Sequence, residues 1–153
     1  MTGGVSFHVI GTPGPQGSKR HVGNGIMRES SAKVAPWRQD VVAAALKAWA
    51  GMGTDTNGKA IVLDGPLALT ITFRFPATTS WKAADKARGW RWKDRTPDLD
   101  KLLRSTGDAL TTSGLIADDA RIVAISAEKI ETTGWTGAAI HIGPACAYPE
   151  ATS

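Results

Sequence analysis

Four aspartates stand in two close pairs in the second half of the chain, and their carboxylates could hold a divalent cation. Asp98 and Asp100 begin a segment of helical character, whereas Asp118 and Asp119 come just before a predicted strand. Gathering carboxylates in this way costs free energy unless a cation lies among them. Carboxylate oxygens suit Mg2+, which promotes phosphodiester hydrolysis by activating water and offsetting charge on phosphate oxygens.

Both pairs also have a purely structural interpretation. Asp98, which follows a proline, fits a helix N-cap, and Asp100 fits the first helical turn, where the helix dipole favours an acid. Asp100 and Arg104 could form an ordinary exposed ion pair along a helix. Asp118 and Asp119 could be turn residues. The spacing alone leaves the metal site and the structural roles both open.

The composition is that of one globular domain, and we expect a single domain over residues 1–153. Apolar residues make up 42% of the chain and charged residues 21%, and the net charge of +4 permits a polyanionic partner without requiring one. Cys146 is the only cysteine, and His8, His21 and His141 lie far apart. This excludes a disulfide framework and a zinc site of known spacing. No signal peptide or membrane span is evident, so we expect a cytoplasmic protein without a membrane partner.

The elements needed to position the aspartates can be read from periodicity. We predict an α/β (α+β) fold in which helices pack on a small mixed β-sheet, in the order β-α-β-α-β-β. The last two strands should form an antiparallel hairpin, and residues 144–153 should be a loosely ordered tail. The predicted strands are 5–10, 67–75, 121–131 and 138–142, and the predicted helices are 36–50 and 99–110.

The predicted core rests on two of these elements. The strand 67–75 alternates apolar and polar residues more cleanly than any other segment. The helix 36–50 carries Trp37 and Trp49 at helical spacing, where aromatic residues usually belong to the core. We therefore expect this strand and this helix to pack against each other.

Residues 81–95 are basic and rich in tryptophan, and no apolar periodicity is evident in them. We expect a long loop here. Its basic side chains could neutralise DNA phosphates while its tryptophans stack on exposed bases. The alternative is that the tryptophans cover the edge of the core and make cation–π contacts with the arginines. Its position directly before Asp98 favours nucleic acid, with Arg88, Arg91, Lys93 and Arg95 as the contacts.

A second basic segment follows the first predicted strand. The run Gly11–Gly17 is too rich in glycine and proline for a helix or a central strand, and Lys19 and Arg20 come next. The order of residues does not match a phosphate-binding P-loop or a GxGxxG turn, so no nucleotide cofactor is expected. Lys19 and Arg20 could contact a DNA phosphate, or the loop could simply be solvated.

Several runs of sequence form one signature that covers most of the chain from Val5 to Ile142. They are Pro97-Asp98-Leu99-Asp100-Lys101-Leu102-Leu103, Asp108-Ala109-Leu110, Gly114-Leu115-Ile116 and Asp118-Asp119, together with Pro13-Gly14-Pro15-Gln16-Gly17-Ser18-Lys19 and Pro36-Trp37-Arg38. This signature resembles that of the RusA family of Holliday-junction resolvases. The resemblance implies a Mg2+-dependent homodimeric endodeoxyribonuclease, with Mn2+ as a substitute ion, that nicks four-way DNA junctions symmetrically in a bacterial host cell.

The resemblance also implies residue roles. Asp98, Asp100 and Asp119 would be the catalytic acids that bind the metal, with Asp118 beside them as a secondary ligand. Family members often have Asn at the position of Lys101 and Lys at that of Arg104. Arg104 keeps the positive charge that would assist catalysis, but it presents a planar fork instead of a compact ammonium.

The function predicted from the sequence is therefore the resolution of four-way junctions, with branched DNA as the partner. The DNA contacts would be Lys19, Arg20, Arg88, Arg91, Lys93, Arg95 and Lys101. One alternative keeps the metal site and changes the substrate to other branched DNA, such as flaps or forks. The other is a non-catalytic DNA-binding module in which the aspartates are caps and turns.

Overall fold

The computed structural model describes residues 3–17, 19–21, 27–29 and 32–147, and for 19–21 and 27–29 it describes the backbone alone. No helix in these ranges is long and apolar enough to cross a membrane. The elements in chain order are β1 (Val5–Ile10), β2 (Lys19–His21), β3 (Met27–Glu29), α1 (Val34–Gly51), β4 (Leu67–Pro76), α2 (Ala83–Arg88), β5 (Trp90–Trp92), α3 (Leu99–Ser113), a 3-10 helix (Asp119–Arg121), β6 (Ile122–Thr132) and β7 (Gly137–Pro144).

Strand β4 is the centre of a five-stranded sheet with the order β1-β7-β4-β6-β5. It runs parallel to β6 and antiparallel to β7. The alternation predicted for this strand is confirmed, because its odd-numbered residues are all buried: Leu67, Leu69, Ile71, Phe73 and Phe75. The mixed sheet with packed helices confirms the predicted fold class.

Helices α1 and α3 pack against each other, and their buried side chains join those of β4 in one core. Trp37 is fully buried; its ring centroid lies 6.5 Å from that of Phe73, and its indole N–H donates to the hydroxyl of Thr106 at 3.1 Å. Trp49 packs against the core and donates to the carbonyl of Ile61. The prediction that both tryptophans belong to the core is confirmed.

The prediction that residues 81–95 form a loop was wrong, since α2 and β5 lie within this range. The side chain of Asp85 accepts a hydrogen bond from the backbone N–H of Lys82 at 3.0 Å, which closes the start of α2. Gly89 adopts a left-handed conformation with φ 84° and ends it. These local signals define an element too short for periodicity to reveal.

The prediction that the last two strands form a hairpin was also wrong. Strand β4 lies between β6 and β7, so the short connection 133–136 crosses the end of β4. Arg74 near that end donates to the carbonyl of Trp135 at 2.9 Å and lies 4.2 Å from its ring centroid. The physical reason is that a central position pairs the backbone of β4, whose odd-numbered apolar side chains are buried, along both of its edges. Alternation in β6 and β7 does not specify which strands are their neighbours.

Candidate active site

Asp98 occupies the N-cap position of α3, but its carboxylate does not cap the helix. Its backbone is extended, and its carbonyl accepts the first helical hydrogen bond from Leu102 at 3.1 Å. No capping hydrogen bond reaches its side chain, which is exposed and lies 3.6 Å from the ammonium nitrogen of Lys101. The carboxylate of Asp98 therefore does not act as a helix cap, and its oxygens are accessible to a ligand.

Asp100 and Arg104 lie one turn apart on the exposed side of α3. Within the part of the chain that the structure describes, neither side chain has an ion-pair partner within 4.0 Å. The alternative in which these two residues form a helix ion pair therefore has no support. Both charges face solvent next to Asp98.

The two residues of the second acidic pair have different surroundings: Asp118 caps a turn, and Asp119 contacts α3. Asp118 caps the 3-10 helix Asp119–Arg121, because its carboxylate accepts from the backbone N–H of Ala120 at 3.1 Å. Asp119 packs against α3: a Cβ built on Gly107 would lie 3.9 Å from the Cβ of Asp119. Folding therefore brings the second pair against the helix that begins with the first pair.

The carboxylates of this second pair perturb each other. A hydrogen bond shared with Asp118 raises the pKa of Asp119, and burial and the negative charges of Asp118 and Asp108 raise it further. The pKa of Asp118 is lowered, first by the N–H of Ala120 and then by the side chain of Asp119. Crowded carboxylates of this kind are stabilised by a cation.

Asp108 and Arg38 are neighbours of this site that fall within the family signature but were assigned no role from the sequence. Arg38 on α1 donates to the carboxylate of Asp108 on α3 at 2.7 Å and also donates to Gln16. Asp108 is close enough to contribute to the raised pKa of Asp119. The four-residue spacing of Asp100, Arg104 and Asp108 places them on one side of α3, but nothing in the sequence connects them to Arg38.

The structure does not gather the predicted metal ligands into a single cluster. Across the described ranges, no group of three or more acidic, histidine or cysteine side chains stands close enough together to hold a metal ion. The aspartates instead form two pairs, one at the start of α3 and one on the 3-10 helix beside the middle of α3. Asp98 and Asp100 face solvent, so the first pair is open to ligands.

Lys129 on β6 is a second residue that the sequence analysis missed. Its ammonium group donates to the backbone carbonyls of Arg95 and Pro97, each at 2.6 Å. Burial lowers the pKa of Lys129, as does the charge of Lys93, while Asp98 and Asp94 act in the opposite direction. The signal available in the sequence was that Lys129 continues the alternating series of Ile125 and Ala127; folding then places it in register with the buried residue Phe73.

The predicted DNA contacts of residues 88–95 fall into two groups. Arg91 is engaged within the protein, 3.3 Å from the buried carboxylate of Glu131 and 2.8 Å from the hydroxyl of Ser80. Arg88 pairs with Asp85 at 2.8 Å. Lys93 and Lys101 instead line an open groove beside Asp98, and Arg95 is exposed. The side chains of Lys19 and Arg20 lie outside the described residues.

The three tryptophans of this region differ in how far each is engaged within the protein. Trp81 is buried and donates to Glu131 at 3.0 Å, and Trp90 lies under Arg88 at 5.2 Å, so both are engaged by contacts within the protein. Trp92 packs edge-on against Trp90 with centroids 5.0 Å apart, yet 57% of it is exposed. Trp92 is therefore the member of the set with a face open to a partner.

Comparison with known proteins places the chain among nucleases. The family model for the endodeoxyribonuclease RusA matches residues 11–143, which include both acidic pairs. A relative from Lactococcus phage r1t, a crossover junction endodeoxyribonuclease rusA, is 35% identical over 65 residues. The aligned region is 42% of this chain and 45% of the relative, so the chain matches less than half the length of that curated relative.

Proposed function

Because the chain belongs to the RusA endodeoxyribonuclease family, we propose that it is a metal-dependent endonuclease that resolves four-way DNA junctions by paired, symmetric phosphodiester hydrolysis. The strongest support is the family match, since it extends over residues 11–143 and contains both acidic pairs. The phage relative that shares part of this region bears the name of a crossover junction endonuclease. The carboxylate of Asp98 is exposed and makes no capping hydrogen bond to α3, which is compatible with this activity.

We assign Mg2+, with Mn2+ as a substitute, to the carboxylates of Asp98, Asp100 and Asp119, with Asp118 beside them. Because the two pairs stand apart in the described residues, the ion would have to draw them together. The donor chemistry fits, because carboxylate oxygens are the ligands of hard cations. The pKa of Asp119 is raised by the neighbouring carboxylates of Asp118 and Asp108, and a cation would relieve this repulsion. When bound, the ion would offset charge on the phosphate oxygens and lower the pKa of the attacking water.

The remaining roles belong to residues of this chain. Arg104, exposed one turn after Asp100, would offset the negative charge that develops on the phosphate during cleavage. Lys129 would keep Asp98 in position, because it holds the carbonyl of the residue before it. Lys93, Arg95 and Lys101 would contact DNA phosphates close to the cleaved bond.

A homodimer is part of the proposal, because a four-way junction is nearly two-fold symmetric and paired cleavage requires two sites related by that symmetry. The alanine-rich side of α1 is an unsuitable interface, since Ala45 is fully buried within the chain. Strand β6 offers a better one: β5 pairs only with its end at Ile130–Thr132. The earlier part of β6 exposes Val123 by 63% and Ile125 by 52%, and unpaired strand edges readily pair with another chain.

The test is cleavage of a synthetic immobile four-way junction, with linear duplex as the control substrate, in Mg2+ and in EDTA. We expect paired nicks in the junction that require the metal, and no cleavage of the duplex. Asp100→Asn should abolish the nicks. Asp94→Asn, which changes an exposed aspartate just upstream of the site, should retain them.

Other outcomes identify the alternatives. Metal-dependent cleavage of flaps or forks in preference to the junction would show a different branched substrate. Tight junction binding without cleavage in any divalent metal would show a non-catalytic DNA-binding module. Cleavage that is unchanged in Asp98→Asn, Asp100→Asn and Asp119→Asn would disprove the assigned acidic site.

A further inference from the structure

A groove of about 620 Å³ opens directly beside Asp98. One wall is the proline-rich loop 12–17, and the other is the segment 93–98 that leads into α3. The lining residues are Thr12, Pro13, Pro15, Gly17, Lys33, Phe75, Pro76, Thr78, Lys93, Thr96, Pro97, Asp98 and Lys101. The loop and the basic segment are far apart in the sequence, whereas folding makes them two sides of one groove.

The proline-rich wall is fixed to α1 and α3. The backbone N–H of Gln16 donates to the carbonyl of Lys101 at 3.0 Å, and the buried hydroxyl of Ser105 donates to the carbonyl of Gly14 at 2.6 Å. Gly14 lies so close to the start of α1 that a Cβ there would overlap the carbonyl oxygen of Lys33. The loop is therefore held against both helices and is not simply solvated.

The opposite wall is fixed to the sheet. Lys129 holds the carbonyls of Arg95 and Pro97, and the backbone N–H of Lys93 donates to the carbonyl of Lys129 at 3.1 Å. The ammonium group of Lys93 lies 4.8 Å from the ring centroid of Phe75 at the base of the groove. A site whose two walls are already ordered loses little entropy when a ligand binds.

The charge and surface of the groove select a particular ligand. Its lining carries the three lysines Lys33, Lys93 and Lys101 against one acid, Asp98, which favours an anion. Four prolines and Phe75 add apolar surface, on which a base or a sugar can pack. The volume is that of a small-molecule site, too small for a DNA duplex but adequate for a nucleotide.

We propose that this groove holds an unpaired nucleotide of the branched DNA, with its phosphate on the lysines and its base against the prolines. This inference rests on the proposed function, because it places the unpaired nucleotide next to the strand that would be cleaved at Asp98. Base pairs at a branch point can open, whereas those of a linear duplex stay stacked. The groove would therefore favour branched DNA over duplex.

The test uses Lys33→Gln, because Lys33 is exposed and lies outside the assigned metal site. Binding is measured in EDTA to three fluorescein-labelled probes: a ten-residue thymidine oligonucleotide, a four-way junction and a linear duplex. We expect the variant to bind the oligonucleotide and the junction about 5-fold more weakly and to lose about one unit of salt-dependence slope, as for one phosphate contact. Duplex binding should stay unchanged.

Lys47→Gln is the matched control, since it removes another exposed lysine, on α1 and outside the groove lining. A second variant, Thr12→Glu, introduces a negative charge into the groove and should weaken oligonucleotide binding further. Its control is Thr56→Glu in the exposed loop after α1. Circular dichroism checks that each variant is folded.

Two results would overturn the inference. In one, Lys33→Gln and Thr12→Glu bind the oligonucleotide as the wild-type protein does. In the other, Lys33→Gln loses duplex and junction binding equally, which would make Lys33 a general duplex contact. Because these measurements need no metal, they are independent of cleavage: a protein that shows the expected binding but cuts no DNA would contradict the proposed function and leave the groove assignment intact.

Discussion

The ammonium group of Lys129 lies 2.6 Å from the carbonyl oxygen of Pro97, the residue directly before Asp98. A second hydrogen bond of the same length reaches the carbonyl of Arg95. One lysine of the sheet therefore holds the segment that carries the first acidic pair. Burial of the ammonium group costs free energy and lowers the pKa of Lys129. The two hydrogen bonds offset part of this cost, because the positive charge of Lys129 strengthens them.

Lys129→Met should impair both stability and cleavage. We expect the free energy of unfolding to fall by roughly 1.5–3 kcal/mol, the usual value for a hydrogen bond to a charged group. Displacement of Asp98 should lower kcat for junction cleavage by up to about 100-fold. Urea denaturation and single-turnover cleavage measure the two effects. Lys86→Met on α2 is the control and should change neither, whereas normal cleavage by Lys129→Met would rule out the positioning role.

Asp118→Asn should lower the pKa of Asp119. The negative charge of Asp118 and the hydrogen bond it shares raise that pKa in the wild-type protein, so a neutral amide removes the repulsion and can donate to the Asp119 carboxylate. Carboxyl 13C titration by NMR in metal-free buffer measures the change. We expect the higher of the two apparent pKa values of the pair to disappear. An unchanged upper value would show that burial and Asp108, and not Asp118, perturb the pKa of Asp119.

Glu131→Gln should make stability less dependent on pH. Burial alone would raise the pKa of Glu131, but hydrogen bonds from Trp81 and Arg91 outweigh it and hold the pKa below its ordinary value of 4.5. The ionised carboxylate therefore stabilises the fold above pH 4.5, and this contribution is lost as the pH falls through the lowered pKa. At pH 7 we expect the variant to be roughly 1–3 kcal/mol less stable.

Denaturation curves at pH 7 and pH 3 test this expectation. The difference between wild type and Glu131→Gln should shrink at the lower pH, because protonation of Glu131 weakens the same hydrogen bonds. Glu128→Gln on the exposed side of β6 is the control, and its stability should differ little from that of the wild type at either pH. An equal difference at pH 7 and pH 3 would show that Glu131 acts through packing and not through its charge.

Trp92→Ala should separate DNA binding from stability. Trp92 is 57% exposed, so we expect a change of less than about 0.5 kcal/mol in the free energy of unfolding. If its open face stacks on a base, junction affinity should fall by about 5-fold to 150-fold, since stacking contributes about 1–3 kcal/mol per base. Trp90→Ala, which removes the ring beneath Arg88, should instead reduce stability. If Trp92→Ala binds the junction as tightly as the wild type does, Trp92 does not contact the DNA.

Ile125→Glu should disrupt the proposed homodimer. The residue is 52% exposed on a strand whose outer edge lacks a neighbouring strand before Ile130 among the described residues, so a charge there would be buried only if two copies met at that edge. Sedimentation equilibrium should show dimers for the wild type and monomers for the variant, with single nicks replacing paired nicks. Ala50→Glu, at an exposed position of α1, is the control. A dimeric Ile125→Glu would place the interface elsewhere.

The sequence by itself determined the local elements and the positions of the acidic pairs. The alternation of β4 and the helical spacing around Trp37 depend only on residues near each other in the chain, so periodicity predicted both correctly. The signature around Asp98, Asp100 and Asp119 was likewise sufficient to indicate the family, which the family match confirmed.

Only the tertiary structure decided which elements are neighbours. It placed β4 between β6 and β7, where a hairpin was expected, and it brought Lys129 to the carbonyl of Pro97 and Arg38 to Asp108. It also paired Arg91, one of the predicted DNA contacts, with Glu131. Such contacts join residues far apart in the chain, and their choice depends on which arrangement buries the apolar faces together while satisfying every buried charge.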